Sequence, residues 1–575
     1  MRATRHRIFR GLTGAFAAVL ALSACATTDD AQQEDPTQED PTQEAEQATA
    51  DEAPTDESPD AADGLDDIEE LVLVTSSLAD LHLDPVAPIE FGIFKVNMAL
   101  TYDYIVGADP DGELNPDTGL AESWERIEEE NKWVFTLRDG PTFHNGDPVR
   151  AEDAVFHLER VMNPDSGTGS GPIFSALIES VEIVDDLTFE VVTSGPDITL
   201  PFLLSNHGLL EGMLVPSEYF QSFGDDLESQ KRGFLQDPVG SGPYKVVEAQ
   251  AGSHVLLERN EDYWLGNPRF PRIRVLEVAD EQTRVAALQS GEAHIIEMSR
   301  RDLETAEEAG FTIHRKPGAS TMGLMLHEQW VDENPLSDIR VREAINRAID
   351  KETLLDELFA GQGRLVDTWR IGSLSLGYEY NDPPEHDPER TSELLEQAGY
   401  EDLEITLIGF ERQGLPEARD MMEAITGMLQ DAGIDATLEW TDQGVSFDTW
   451  FSWPDHPDQA PMLDRWGPSV SLNNTGNQTF WQQNAKFVYL PDGLARITDS
   501  EELTRFIEVS DSAGTPEEYE ENTRAAQQYL RENFIELAMF ELDSLYASVP
   551  EIRLEDWPMD IYQWSWNVET LAVPR

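Results

Sequence analysis

The sequence predicts an α/β protein of two or three domains, and three observations carry that prediction. Its 575 residues run well past the ~250–300 residues at which single cores stop growing. Hydrophobic residues make up 40% of the chain, enough to fill more than one core. Between residues 404 and 440 a strand, a helix and a strand follow at the lengths of a parallel unit.

Taken in order, the N terminus comes first. Arg2, Arg5, Arg7 and Arg10 precede an apolar run from Gly11 to Leu22, the pattern of an export signal. The run is shorter than the ~20 residues a stable membrane span needs. It ends in Leu22-Ser23-Ala24-Cys25, which resembles the bacterial lipobox. In that motif the cysteine sulfur receives a diacylglycerol and the peptide is cut just before it. The resemblance implies that residues 1–24 are removed and that Cys25 is lipidated. Two or more acyl chains then anchor the chain where one would be marginal. Cys25 is the sole cysteine, so a disulfide framework and a cysteine-based structural zinc site are excluded.

Residues 29–67 hold sixteen acidic residues and no Lys or Arg, and Glu34-Asp35-Pro36-Thr37-Gln38 repeats at once as residues 39–43. So little apolar surface cannot offset chain entropy, and like charges extend the chain further. Residues 25–68 are therefore expected to form a disordered acidic tether.

The globular body opens with a strand at Glu70 to Thr75. A second strand covers Trp133 to Arg138, and the turn Asn145-Gly146-Asp147-Pro148 follows. Ala154, Val155, Leu158, Val161 and Met162 form one apolar face of a helix over 151–162. Residues 181–184 and 188–192 flank Asp185-Asp186-Leu187 and read as a hairpin. Val341, Ala344, Ile345, Ala348 and Ile349 give another helical stripe, stopped near Gly361. Asp387-Pro388 supplies an N-cap and a first-turn proline, and Gly399 a stop. A strand at 404–408 precedes a helix carrying Ala418, Met421, Met422, Ile425, Met428 and Leu429. That helix ends at Gly433, and 434–440 reads as a strand.

Charge limits the partners. Asp and Glu number 113 against 39 Lys and Arg, a formal net charge of −74. Such a surface repels phosphate backbones and anionic lipid, which excludes nucleic acid and a basic membrane patch as partners. The acidity serves solubility, including in a salty medium, or attracts a cationic ligand. No catalytic constellation is present. His327-Glu328 leads to Val331 and not to a zinc-binding second histidine. No Gly-x-Ser-x-Gly elbow occurs. Asp109-Pro110-Asp111-Gly112 places its glycine too early for an EF-hand loop, and Gly167-Thr168-Gly169-Ser170-Gly171 lacks the spacing of a phosphate loop. No enzyme activity, cofactor or metal site is expected.

Four blocks carry a family resemblance. The first joins Leu120-Ala121-Glu122-Ser123-Trp124, Trp133 to Arg138, Phe143-His144-Asn145-Gly146-Asp147-Pro148 and Ala151-Glu152-Asp153-Ala154-Val155. The second is Pro238-Val239-Gly240-Ser241-Gly242-Pro243-Tyr244 with Leu257-Glu258-Arg259-Asn260 and Tyr263-Trp264. The third is Ala287-Leu288-Gln289-Ser290-Gly291-Glu292. The fourth is Asp338-Ile339-Arg340-Val341-Arg342-Glu343-Ala344 with Ala348-Ile349-Asp350. Together they resemble the family-5 extracytoplasmic solute-binding proteins, the oligopeptide, dipeptide and nickel binders of ABC importers. The resemblance spans 70–440 well and 440–575 loosely.

It implies a periplasmic-binding-protein-like type II fold, with two hinged lobes and an extra domain inserted in the first. Lobe I would comprise 69–110, 234–318 and 541–575, with 111–233 as its insertion, and lobe II 319–540. A ligand would lie between the lobes, closure would bury it, and a membrane permease would recognise the closed form. The protein is expected to be a monomer.

Residues 440–481 hold Trp440, Trp450, Trp453, Trp466 and Trp481 with Phe447, Phe451 and Phe480. Some of these rings fill the core and others line the cleft. In peptide-binding relatives a Trp here is followed three residues later by an Asp that pairs with the peptide ammonium. Here Trp466-Gly467-Pro468 leads to Ser469, which argues against a free peptide, unless Asp464 substitutes. Ser469, Ser471, Asn473, Asn474, Thr475, Asn477, Gln478 and Thr479 offer neutral hydrogen-bonding groups, or form a polar surface loop. The expected ligand is a peptide or similar small polar solute, with an oligosaccharide or a surface-sensor role as the alternative. The expected contacts are Ser76, Ser77, Leu78, Trp450, Trp453, Trp466, Gly467, Ser469, Asn473 and Trp481.

Overall fold

The computed structural model describes residues 65–552 apart from 66, 77, 79–82, 87–94, 110–112, 167, 169–170, 209, 411–414, 416, 442–444, 446–448, 450–459, 477–478 and 491–495. Two sheets organise the described residues. The smaller has the order β2-β3-β5-β4, from β2 (Ala121–Ile127), β3 (Lys132–Leu137), β4 (Ile178–Ile183) and β5 (Thr188–Thr193). Its antiparallel pairs bury Phe135 and Phe189, stacked at 5.0 Å, against Leu158 and Val161 of the helix Ala151–Met162.

The larger sheet has eleven strands. On one side lie β6 (Tyr244–Gln250), β7 (His254–Arg259), β8 (Arg272–Glu277), β1 (Glu70–Thr75) and β9 (Ile295–Glu297). On the other lie β11 (Gly363–Leu365), β12 (Glu404–Gly409), β13 (Asp435–Trp440) and β14 (Ser469–Gly476). Two long strands belong to both sides: β10 (Thr312–Leu326) and β15 (Glu536–Ser548). They pair antiparallel along their length, with a register shift between Lys316 and Ser320. At that shift Gly318 has φ +64°, and a Cβ there would lie 2.2 Å from Oε1 of Glu541, so only glycine fits.

The apolar stripes point where their periodicity requires. Val341, Ala344, Ile345, Ala348 and Ile349 are buried with Met421, Met422, Ile425 and Leu429 against Val470 and Leu472 of β14. Along β14 the alternate residues Ser469 and Ser471 take the opposite side, where Met325, Ile408 and Trp481 belong to a second core. A third core holds Leu71, Leu73 and Leu78 with Val255 and Ile273.

Candidate functional site

Strand direction locates the site. β9 is antiparallel to β15 (Ser548 opposite Ile295, Tyr546 opposite Glu297), so it runs toward the middle of β15. β1 is parallel to both β9 and β8. Across the molecule, β14 is antiparallel to β10 (Val470 opposite Leu326, Gly476 opposite Ser320) and runs toward the middle of β10. β12 is parallel to β14 and β13. The carboxyl ends of all these strands therefore converge on the register shift of the two crossover strands. Ligands of open α/β sheets bind outside the carboxyl ends of the strands.

One wall of this convergence follows β1, β8 and β9. Glu297 accepts from the Ser76 amide at 2.8 Å and from Thr75 Oγ1 at 2.9 Å. Glu277 accepts from the Leu78 amide at 2.8 Å. Two half-buried carboxylates thus take the backbone amides of Ser76 and Leu78 after β1, and Ser76 is half-buried. Arg300 follows β9 with only 9% of its side chain exposed. Its Nη2 donates to the Asp543 carbonyl of β15 at 2.6 Å, and its Nη1 stands 3.9 Å from Glu417, which precedes the helix Ala418–Asp431 after β12 on the other wall. Burial pushes the guanidinium below its ordinary value, against the pull of Glu417 and Asp543.

The floor is charged as well. Glu541 of β15 is buried and receives Arg364 Nε at 2.9 Å, Arg364 Nη2 at 2.6 Å and the Ser373 hydroxyl. Tyr378 and Tyr380 lie 5.5 and 5.6 Å from the same guanidinium. The Gly318 amide donates to Asp543 Oδ1 at 3.1 Å. Contacts also bridge the walls from the small-sheet side. Phe202 meets Phe480 edge-on at 5.2 Å, His207 Nδ1 lies 3.0 Å from Thr479 Oγ1, and Arg126 donates to the Gly514 carbonyl at 2.5 Å.

The structure separates the expected contacts. Ser76 sits at the convergence. Leu78 gives it only a backbone amide, because its side chain is 1% exposed in the core. Asn473 lies toward the carboxyl end of β14, opposite Gly323. Trp466 and Gly467 lie just before the other end of β14, where Ser469 begins the strand seven residues ahead of Gly476. At ~3.3 Å per residue that is about 23 Å away. There Glu328 caps the helix Pro461–Trp466 through the Met462 and Leu463 amides, at 3.0 and 2.7 Å. The Trp466 carbonyl accepts from Thr406 Oγ1 at 2.9 Å. Ser469 is 1% exposed, and its hydroxyl has no hydrogen-bond partner. Trp481 is fully buried, and its Nε1 donates to Thr523 Oγ1 at 3.2 Å beside Phe480 and Tyr519. The side chains of Leu78, Ser469 and Trp481 are thus buried, and Trp466 and Gly467 are half-buried at the end of the helix Pro461–Trp466. Cys25, Ser77, Trp450 and Trp453 lie outside the described residues.

Sequence reasoning missed Glu277, Glu297, Arg300 and Glu541. Their partners lie far away along the chain, and no local spacing announces them.

Comparison with known proteins agrees with this geometry. The description "bacterial extracellular solute-binding proteins, family 5 Middle" matches residues 115–487, more than half of the chain. The chain belongs to that family. It is 27% identical over 467 residues to heme-binding protein A of Haemophilus influenzae, covering 74% of this chain and 82% of that protein. It is 26% identical over 349 residues to the dipeptide-binding protein of Escherichia coli, covering 56% and 63%. An ABC transporter-associated periplasmic binding protein from Helicobacter pylori, solved with the peptide STSA, superposes with a TM-score of 0.70 at 20% identity. That match covers 87% of this chain and 96% of the other. The family-5 protein therefore has the type II binding-protein fold, with two lobes joined by β10 and β15. Among the described residues no helix is long and apolar enough to cross a membrane.

Proposed function

We propose that this chain is the substrate-binding lipoprotein of an ABC importer, capturing a peptide or similar small polar solute and presenting it to a membrane permease. The observation that supports this most is the convergence of carboxyl strand ends from both lobes on the crossover strands, where closure brings two polar walls onto one solute. Lobe I is assigned to 69–110, 234–318 and 541–575 with 111–233 inserted, and lobe II to 319–540. Lipid on Cys25 holds the chain to the outer face of the cytoplasmic membrane, and residues 25–68 give the lobes reach. The protein acts as a monomer and performs no chemistry on its solute.

Two experiments test this. Native mass spectrometry of the protein purified without denaturation, followed by denaturation, identifies any released solute, and the released compound should be small and polar. Release of a chemically altered product after incubation would point to an enzyme. Growth on the identified solute should require both this chain and a permease, and import-independent growth would point to a surface sensor. For the anchor, Cys25→Ser should move the protein from the membrane to the soluble fraction. Retention of the variant at the membrane would sink the lipid assignment.

A further inference from the structure

We propose that Arg300 is the receptor for a carboxylate carried by the bound solute, an assignment that rests on the solute-binding reading above. Arg300 stands at the convergence, after β9 on one wall. It is tied to β15 of the crossover by the 2.6 Å bond to the Asp543 carbonyl, and it faces Glu417 of the other wall. A guanidinium carries five N–H donors in a planar fork. Here Nη2 is used by Asp543, while Nε is buried and has no hydrogen-bond partner. Glu417 does not satisfy the remaining donors, since 3.9 Å is beyond hydrogen-bond reach.

Buried donors of a charged group are costly to leave unmade, and native structures pair nearly all of them. A carboxylate arriving between the walls supplies two oxygens in the geometry that the fork accepts. It would bind where both lobes contribute, so pairing and closure occur together. Behind the guanidinium the ring of Phe359, fully buried in the core, has its centre 5.5 Å away. The carboxylate has two sources, a peptide C terminus or a non-peptide acid, and the assignment covers both. It gives the cleft a reason to prefer acids over the neutral oligosaccharide read from the polar run 469–479.

The test uses the full chain and four probe pools: random tetrapeptides with free C termini, the same peptides as C-terminal amides, small sugar acids, and neutral oligosaccharides. Retention is read by native mass spectrometry, and affinity by calorimetry on the retained compounds. The wild type should hold an acid pool at least about tenfold more tightly than its neutral counterpart, roughly the worth of one charged hydrogen bond. Retention of the peptide acids identifies one source and of the sugar acids the other. Arg300→Gln should abolish the preference for acids, and Arg300→Lys should keep part of it. Glu417→Gln, which removes the competing anion, should strengthen acid binding.

Equal retention of acids and amides, or retention of oligosaccharides alone, overturns the proposal. So does an Arg300→Gln variant that weakens acids and amides alike, which would make the arginine only a tie between lobes. If Arg300→Gln does not fold, Glu417→Gln decides by its sign, since weaker acid binding there means a structural pair. Retention of no pool by the wild type defeats the solute-binding reading itself, and the carboxylate assignment falls with it.

Discussion

The carboxyl end of β1 and the amino end of β14 are both built from serines and backbone turns, but they do opposite work. At β1 two carboxylates from neighbouring strands, Glu277 and Glu297, take the turn's N–H groups and keep Ser76 half-buried at the meeting point of the lobes. At β14 everything turns inward. Ser469 is buried, His327 donates its amide to the Ser469 carbonyl at 3.1 Å, and the His327 ring meets Ser471 Oγ at 2.7 Å. The difference teaches that polarity along a strand does not identify a cleft. Strand direction does, because only the carboxyl ends converge on β10 and β15.

The strongest way to test that division is Trp481→Ala. A fully buried Trp in a packed core costs about 3–5 kcal/mol when truncated. The variant should therefore lose stability by that order in denaturant unfolding. Its refolded fraction should bind the solute as the wild type does. Selective loss of binding at unchanged stability would return Trp481 to the cleft.

That residue also shows what was legible in the sequence. The β1 strand, the helix 151–162, the hairpin of 181–184 and 188–192 and the strand–helix–strand of 404–440 were readable because each carries an apolar run or a regular apolar period. Trp481 carried no such label, since an aromatic side chain next to polar residues looks the same in a core as in a cleft. The run 469–479 offers neutral hydrogen-bonding groups or a polar surface loop when read for polarity alone, although Val470 and Leu472 alternating with Ser469, Ser471 and Asn473 form a period-2 strand pattern. Assigning that strand and its parallel pairing with β12 places Ser469 at the amino end of β14. Glu297 and Arg300 were not legible at all, because their roles arise only when β9 lies beside β1 and β15.

The second effect concerns pH. Burial pushes His327 down to about 3, below the ~6.5 of an unfolded histidine. The unfolded chain therefore takes up this proton first on acidification. The stability contributed is present above about 6.5 and drains away as pH falls toward about 3, at about 1.4 kcal/mol for each unit separating the two values. Burial raises the nearby Glu328, which acts in the opposite direction. His327→Gln isolates the histidine, since it keeps a hydrogen-bonding group near Ser471 and cannot charge. The wild type should lose stability faster than the variant between pH 6.5 and 4, and parallel pH profiles would show that His327 is not held neutral.

At β1 the effect should fall on binding. Glu297→Ala leaves the Ser76 amide and the Thr75 hydroxyl without their acceptor, worth roughly 1–3 kcal/mol where water does not replace it. Solute affinity should drop because Ser76 is no longer held at the convergence, with the unfolding midpoint shifted little because water reaches the half-buried groups. A loss of stability with affinity intact would make Glu297 a brace for lobe I, and would leave the wall to other residues.

The smallest expected effect makes the sharpest contrast. Ser469→Ala removes a buried hydroxyl that has no hydrogen-bond partner, so nothing is left unsatisfied and an unfavourable desolvation is relieved. Stability should hold or rise by up to about 1 kcal/mol, and affinity should not move. The same change at Ser76 alters a residue whose backbone is pinned at the convergence, and it should weaken binding without changing stability. Equal binding losses from Ser469→Ala and Ser76→Ala would mean that the amino end of β14 reaches the solute after all. That outcome would require a solute long enough to extend about 23 Å along the strand.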